Sequence, residues 1–566
     1  MCGIFGYVGG EQASPIIFKA LKRLEYRGYD SYGVAILDAS TIHVAKGIGT
    51  LERVPPIVGS TGIGHVRWAT HGEVSERNAH PHISCDGSIA IVHNGIIENY
   101  QELKESLRGH VFRSDTDSEV IAHLIEEYLK ANPFFMAFAK MVSVLKGSYA
   151  IVAMDSNRNM VAAKQESPLV IGMGEGFNVV ASDALSFAEL TSKVIYLEDG
   201  AIVTINSNYV EDIYGNKLVP MEMKWGAGDM ELGDYPHYML KEMMEYPQVI
   251  KRALGQEKII DSAIDLLRAR NVLMTACGTS RYAALVGRYA ISKLSGKLCE
   301  VVMASELSYF SDSINRDTLV LAVSQSGETA DINHNINMVK KNGARLISIV
   351  NTPGSSLCRA SDRVHYMGCG PEVSVAATKT FISELVILYL LAHAMAGKYE
   401  QGIAEILSVP KANYEVGHIT HRLAGNRDAY YIGRGINFAL AGEAALKLKE
   451  ISYIHAEGMP AGELKHGTLS LVEKGTPVIG ICPNDYTYDE MISNLHEAKS
   501  RGAWIVGISD RNNDVFEDWV RIPEVPELYY PLVSVVPAQL IAYHTAIARG
   551  LNPDRPRNLA KSVTVR

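Results

Sequence analysis

A cysteine stands second in the chain, in the run Met1-Cys2-Gly3-Ile4-Phe5-Gly6-Tyr7-Val8-Gly9. With Met1 removed, that residue carries a thiol and a free α-amine on the same Cα. An α-amine titrates near ~8, so a useful fraction is neutral at neutral pH and can take the thiol proton through a water. Such a nucleophile attacks a carbonyl, and three motifs downstream offer the other parts the reaction needs. Arg67 lies in His65-Val66-Arg67-Trp68-Ala69-Thr70-His71-Gly72, and its fork suits a carboxylate. Asn94-Gly95 follows the apolar strand Ile89-Ala90-Ile91-Val92. A side-chain amide and a backbone N–H placed together there can stabilise a tetrahedral oxyanion. Asp117, in Ser114-Asp115-Thr116-Asp117-Ser118-Glu119, can hold an ammonium group. Each also has a plain structural alternative: a hairpin turn for Asn-Gly, a surface ion pair for the arginine, a helix cap for the aspartate.

A second constellation lies further on. Ser324-Gln325-Ser326-Gly327-Glu328-Thr329 follows the strand Thr318-Leu319-Val320-Leu321-Ala322-Val323 and precedes a helix. Hydroxyls and backbone N–H groups at a helix N-terminus bind phosphate without a lysine. Cys277-Gly278-Thr279-Ser280 opens the preceding unit in the same way; ordinary N-capping is the alternative for both. Glu443, Lys447 and Glu450 fall in a strongly helical stretch, and spacings of four and three put them on one face. They read as acid–base residues or as a simple i, i+4 salt bridge.

The elements that must position these groups change character along the chain. Residues 1 to about 215 read as many short β-branched strands with a few helices, among them Ile4–Val8, Gly33–Leu37 and Tyr149–Met154, and a helix from Ser118 to Ala131. This is an α+β pattern, with sheets packed face to face under helices. A linker is expected around Lys224-Trp225-Gly226-Ala227-Gly228, within 216–238. Beyond it the chain repeats strand, glycine or serine turn, helix, which predicts parallel sheets with covering helices. Asn271–Ser280 resembles Ala429–Gly435, and Ala344–Ile349 resembles Ala503–Ile508, at an offset of about 156 to 159 residues. Two copies of one αβα unit follow, over 239–400 and 410–550, with a tail over 551–566.

The totals narrow the class. The chain has 566 residues, 47% hydrophobic and 21% charged, with net charge -9. That is the composition of a globular protein of several domains without a basic footprint for nucleic acid. Seven scattered cysteines without a CxxC pair argue against a disulfide framework and against a zinc site, so no metal and no cofactor is expected. No signal peptide is visible, and the most apolar run, Leu385–Met395, is too short to cross a bilayer. The expected compartment is the cytoplasm, with no membrane or nucleic-acid partner.

Met1-Cys2-Gly3-Ile4, Leu24-Glu25-Tyr26-Arg27-Gly28-Tyr29-Asp30-Ser31, Arg67-Trp68-Ala69-Thr70-His71-Gly72, Asn78-Ala79-His80-Pro81-His82 and His93-Asn94-Gly95-Ile96-Ile97-Glu98-Asn99 together resemble the class II glutamine amidotransferases. Within them the whole chain resembles the glutamine–fructose-6-phosphate aminotransferase (isomerising) family. The resemblance implies an N-terminal nucleophile hydrolase fold, an αββα sandwich, followed by two sugar isomerase domains. It implies Cys2 as nucleophile, Asn94 and Gly95 as oxyanion hole, and Arg67, Thr70, His71 and Asp117 as glutamine contacts. Trp68 matches an ammonia gate. In the sugar isomerase half it implies Ser280, Ser324, Gln325, Ser326 and Thr329 as phosphate-binding positions, with Val375 a further sugar-phosphate contact. Lys561 would form a Schiff base with the ketose, His466 open its ring, Glu450 move the proton, and Lys447 assist. The activity implied is conversion of fructose 6-phosphate and glutamine to glucosamine 6-phosphate and glutamate, the entry to amino sugars, in a homodimer with ammonia channelled between sites. One departure is Ala377 in Val375-Ala376-Ala377-Thr378-Lys379, where the family commonly shows serine.

Overall fold

The computed structural model describes residues 2–69, 71–223, 231–410 and 413–563. Met1, Thr70 and the Lys224–Gly228 linker segment lie outside the described residues.

The first half is built on two antiparallel sheets. Alternation along the first strand, Gly3–Val8, shows why they stack. Ile4 and Val8 pack with Ala90, Val92, Ala150 and Val152 between the sheets, while Phe5 and Tyr7 pack with Ile17, Leu21 and Val34 under the helix Ala13–Leu24. A strand with apolar residues on both faces needs cover on both. The eight-stranded sheet runs Met221–Glu222, Lys193–Tyr196, Val170–Met173, Asn178–Ala181, Gly3–Val8, Thr61–Arg67, Ser31–Asp38, Thr41–Ile48. It thus takes in a strand beyond residue 215. The six-stranded sheet runs Val210–Asp212, Ile202–Ile205, Met160–Gln165, Gly147–Asp155, Ile89–Ile97, His82–Ile83. Its outer face carries the helices Glu119–Leu129 and Phe134–Val144, packed through Val120, Ile121 and Phe138 onto Ile89 and Ile91. The result is the expected four-layer α-β-β-α arrangement.

The second half contains two five-stranded parallel sheets with the same strand order. One runs Glu300–Met303, Asn271–Ala276, Thr318–Ser324, Arg345–Val350, Arg363–Tyr366; the other His455–Pro460, Asp428–Gly433, Pro477–Ile481, Trp504–Ser509, Asp518–Arg521. The two sequence repeats fall on equivalent strands of the two sheets. One continuous core joins them, with Leu321 and Ile347 of one sheet and Ile479 and Val506 of the other in the same cluster. The helices Lys379–Met395 and Tyr530–Ala548 lie in that core with nearly every residue buried. The second, extended back to Glu527, has the length and apolar content of a membrane span, yet 78% of its apolar window is covered by the protein, so it is a core helix.

Candidate active site

Cys2 sits at the mouth of the first strand, and its thiol is held by the backbone of Trp68. The Trp68 N–H donates to Cys2 Sγ at 3.2 Å, and Sγ lies 3.4 Å from the Trp68 carbonyl. Burial pushes the thiol up, against the pull of the nearby Arg67 and Arg27 charges. Arg27 Nε and Asn94 Nδ2 donate to the Cys2 carbonyl at 3.2 and 3.0 Å.

Asn94 and Gly95 are not a turn after a strand. They lie inside the strand Ile89–Ile97, opposite Ala150 and Tyr149. Gly95 has φ of +126°, and a Cβ there would meet the Ser148 carbonyl oxygen at 2.0 Å. Only glycine fits this conformation inside a sheet. The Asn94 amide is aimed by two residues that sequence reasoning did not single out. His65 Nε2 lies 3.0 Å from Asn94 Oδ1 and 3.1 Å from the His93 carbonyl, both acceptors, so that nitrogen carries the proton. Burial holds the His65 imidazole down to about 3, and it is neutral at pH 7. Asn94 Nδ2 is thereby turned to the Cys2 carbonyl and to Ser182 Oγ at 2.8 Å, which itself receives the Ile4 N–H at 2.8 Å. His65 belongs to a quoted motif and was within reach of the sequence; Ser182 carries no local signal.

Arg67 is buried and is not a surface ion pair: its fork donates to the carbonyls of His71, Gly72 and Glu73. Asp117 is not a helix cap either. Its Oδ2 accepts the Ile97 N–H at 2.7 Å, and Ser118 Oγ donates to Oδ1 at 3.3 Å. Cys2, Arg67, Trp68, His71, Gly95 and Asp117 line one cavity of about 20 Å³. That is room for about one water.

In the second half, Lys561 Nζ lies 2.5 Å from Glu372 Oε2, both buried. Glu372 was not anticipated. Burial alone would raise its carboxyl, but Lys561 and the Thr378 and Thr380 amides bring it below the ordinary carboxylate value. The serine loop sits next to the same tail. Ser562 Oγ donates to Ser326 Oγ at 2.8 Å, and the Ala330 N–H reaches the Val563 carbonyl at 2.9 Å. Within the loop, Gly327 and Glu328 N–H groups reach Ser324 and Ser326 Oγ at 3.1 Å each, and Ser324 and Thr329 hydroxyls are 3.2 Å apart. Gly327 has φ of +65°, and a Cβ there would strike Ser355. The Gln325 carbonyl accepts from Asn351 N, and Val375 N donates to the Asp554 carbonyl at 3.2 Å. Ser280 is tied elsewhere, with Oγ donating to Glu384 Oε1 at 2.6 Å.

Glu443, Lys447 and Glu450 share the face expected of them on the helix Ile436–Ser452. Lys447 Nζ is 2.6 Å from Glu450 and 3.7 Å from Glu443. Burial pushes Glu443 up to about 8, so it carries a proton at pH 7, while Lys447, buried between two carboxyls, is held above its ordinary value. Glu450 opens onto a pocket shared with Arg557, Asn558 and Leu559 of the tail. His466 is exposed on a short 3-10 turn, and no described contact joins it to Lys561 or Glu450. The structure does not bring it to the site within one chain.

The tail also reaches the first half. Tyr29 donates its hydroxyl to the Pro556 carbonyl at 3.0 Å, Arg555 pairs with Glu25 at 3.2 Å, and the Tyr29 ring meets the Trp68 indole edge-on at 5.5 Å.

Comparison with known proteins agrees with both halves. Residues 65–189 match the glutamine amidotransferase domain, and 265–394 and 422–549 match the SIS domain. The chain is 47% identical to the glutamine–fructose-6-phosphate aminotransferase (isomerising) of Thermococcus kodakarensis over 100% of both sequences. This chain belongs to the glutamine–fructose-6-phosphate aminotransferase (isomerising) family. The Pyrococcus horikoshii aminotransferase is 44% identical, again over 100% of both. Among solved structures, the C-terminal domain of the Francisella tularensis glucosamine-fructose-6-phosphate aminotransferase superposes on 58% of this chain and 99% of its own, with TM-score 0.52 and 32% identity. As an aminotransferase of this family the chain is an amidotransferase with two SIS domains; Arg67, Asn94 and Asp117 fall in the amidotransferase match and Ser324, Glu372 and Glu450 in the SIS matches, while Cys2 and Lys561 lie outside the matched ranges.

Proposed function

We propose that the protein converts fructose 6-phosphate and glutamine to glucosamine 6-phosphate and glutamate, with ammonia passed internally from Cys2 to Lys561. Full-length family membership supports the overall reaction. One observation supports the internal passage: the tail that seats Lys561 on Glu372 also carries Pro556, which takes the hydroxyl of the tyrosine packed against Trp68, and Trp68 grips the Cys2 thiol.

At the first site the Cys2 thiol, deprotonated by its own α-amine after loss of Met1, attacks the glutamine side-chain carbonyl. Asn94 Nδ2 and the Gly95 N–H receive the oxyanion. Collapse, with the α-ammonium giving its proton to the leaving nitrogen, expels ammonia and leaves a thioester, which water hydrolyses to glutamate. Arg67 takes the substrate carboxylate in exchange for loop carbonyls, Asp117 takes the ammonium, and Thr70 and His71 complete the loop over it. Trp68, half-buried and not a core indole, is suited to gate the exit.

At the second site Glu372 holds Lys561 in place; the lysine gives a proton to solvent, and its free amine condenses with the ketose carbonyl and releases water. Ammonia then displaces the lysine, and Glu450 carries a proton from C1 to C2. Lys447 holds Glu450 in place. The serine loop, Ser324 through Thr329, receives the phosphate on N–H groups and hydroxyls at a helix N-terminus; Ser280 and the Val375 backbone border the sugar. His466, exposed on its 3-10 turn, is the residue suited to opening the sugar ring, and the protein works as a homodimer like the family it resembles. The reaction is assigned to the cytoplasm.

Separating the half-reactions tests this reading. Cys2→Ala is expected to abolish glutamate release from glutamine while amino-sugar formation from free ammonia persists; Lys561→Ala is expected to do the reverse. Borohydride reduction with fructose 6-phosphate should leave the sugar on Lys561. Glutaminase activity surviving Cys2→Ala, or the adduct appearing on another lysine, overturns the assignment.

A further inference from the structure

Away from both sites, three segments of the first half bring four metal-ligating side chains to one point. Cys85 lies in the turn between His82–Ile83 and Ile89–Ile97, and His110 in the loop after the helix Tyr100–Ser106. His123 and Glu126 stand one turn apart on the helix Glu119–Leu129. One ligand atom from each lies within 4.8 Å of all the others. Cys85 Sγ is 3.7 Å from His110 Nδ1 and 3.6 Å from His123 Nδ1. Glu126 Oε2 is 3.0 Å from His110 Nδ1 and 3.4 Å from His123 Nδ1. Tetrahedral zinc, with ligands at about 2.0–2.3 Å, sets its ligand atoms about 3.3–3.6 Å apart. The four distances, 3.0 to 3.7 Å, bracket that figure, and the other two edges are no longer than 4.8 Å.

The surroundings have the features of an outer shell. Both imidazoles turn Nδ1 inward and present Nε2 to a carboxylate: His110 Nε2 to Glu127 at 3.1 Å, His123 Nε2 to Glu119 at 3.6 Å. The Glu127 carboxylate behind His110 places the proton on Nε2 and leaves the Nδ1 lone pair for a cation, as metal-bound histidines require; Glu119 stands beyond hydrogen-bond distance of His123 Nε2, which has no other partner among the described residues. Glu126 is fixed by the backbone N–H groups of Cys85 and Asp86 at 3.0 and 3.1 Å, and the Val111 N–H donates to Cys85 Sγ at 3.3 Å. The Phe112 ring meets His123 edge-on at 4.6 Å and closes one side.

We propose that Cys85, His110, His123 and Glu126 bind one zinc ion in a closed structural site that clamps the helix following Asp117 to the Cys85 turn. Sulfur, two imidazoles and one carboxylate are a zinc-type set, and a thiolate with a carboxylate balances the ion's two positive charges. Binding releases the thiol proton and any proton on the two Nδ1 atoms. The competing arrangement is a plain network in which both Nδ1 atoms are protonated and donate to Glu126, with the thiol uninvolved.

The full-length protein, stripped with a chelator, reloaded with zinc and desalted, is expected to retain one zinc per chain by elemental mass spectrometry. Reloaded with cobalt instead, it should show a thiolate-to-cobalt charge-transfer band. Cys85→Ser and His110→Ala are each expected to lose the retained metal and the band while glutamine hydrolysis, measured as a check on folding, persists. Glu127→Gln, which removes only the carboxylate behind His110, should weaken zinc binding by about 10–100-fold. No retained zinc in the unsubstituted protein, or a cobalt band unchanged in Cys85→Ser, overturns the proposal.

Discussion

Replacing Asn94 by alanine separates a catalytic amide from a structural one. The side chain donates to the Cys2 carbonyl and Ser182 Oγ and accepts from His65 Nε2. Each of these partners keeps another bond when Asn94 is gone. Arg27 Nε still reaches the Cys2 carbonyl at 3.2 Å, the Ile4 N–H still reaches Ser182 Oγ at 2.8 Å, and His65 Nε2 still has the His93 carbonyl at 3.1 Å. No group is stranded, so each lost bond costs about 1 kcal/mol, within the usual folding margin of about 5–15 kcal/mol. Losing one donor to a tetrahedral oxyanion costs about 10²–10³ in kcat, or about 2.7–4 kcal/mol of barrier. The expected result is a fall of that size in kcat for glutamate release, with KM for glutamine nearly unchanged and ammonia-driven amino-sugar synthesis intact. Asn94→Asp should be worse than alanine, because a carboxylate repels the developing oxyanion. A glutaminase kcat in Asn94→Ala equal to that of the unsubstituted protein refutes the oxyanion assignment. An equal loss in both half-reactions shows damage to the fold.

Trp68→Ala should keep glutamine hydrolysis but release more free ammonia than amino sugar, measured as the ratio of glutamate to glucosamine 6-phosphate formed; a ratio of one in the variant removes the gate. A pH effect follows from three buried carboxyls, Glu242, Glu384 and Glu443, each pushed up to about 8 by burial. In the unfolded chain they ionise near ~4.3, so between that pH and 8 the folded state holds more protons and stability falls as pH rises. The slope is at most about 1.4 kcal/mol per pH unit for each group. Glu384→Gln should flatten the decline in urea midpoint across that window, and an unchanged slope would show that Glu384 does not titrate there.

The strands of the first half were legible because their side chains alternate between two cores, which leaves a two-residue period in the sequence. The parallel units were legible from their repeated strand-turn-helix order. The backbone setting of Asn94-Gly95 was less legible. That dipeptide is a strong hairpin signal, and only the close approach of the Ser148 carbonyl explains a glycine with positive φ in the middle of a strand. Asp117 looked like a cap because it precedes a helix, yet its carboxylate crosses to Ile97 in the neighbouring sheet. Glu372 was invisible for a different reason. Its partner lies 189 positions away, and no short-range pattern encodes so distant a pairing. The Cys85 cluster was hidden likewise, since its four ligands come from a turn, a loop and a helix, and only His123 and Glu126 are close in sequence.

The tail from Asp554 to Val563 makes the two reaction centres thermodynamic neighbours. It caps the Tyr238 and Met239 N–H groups through the Asp554 carboxylate, takes Tyr29 at Pro556, touches Tyr453 at Arg557, and ends on Glu372 and Ser326. A ligand that tightens either end of this strap changes the free energy of the contacts at the other. Reciprocity then fixes the bookkeeping: whatever factor a sugar phosphate at the serine loop contributes to glutamine affinity, glutamine must return to the sugar phosphate in equal measure.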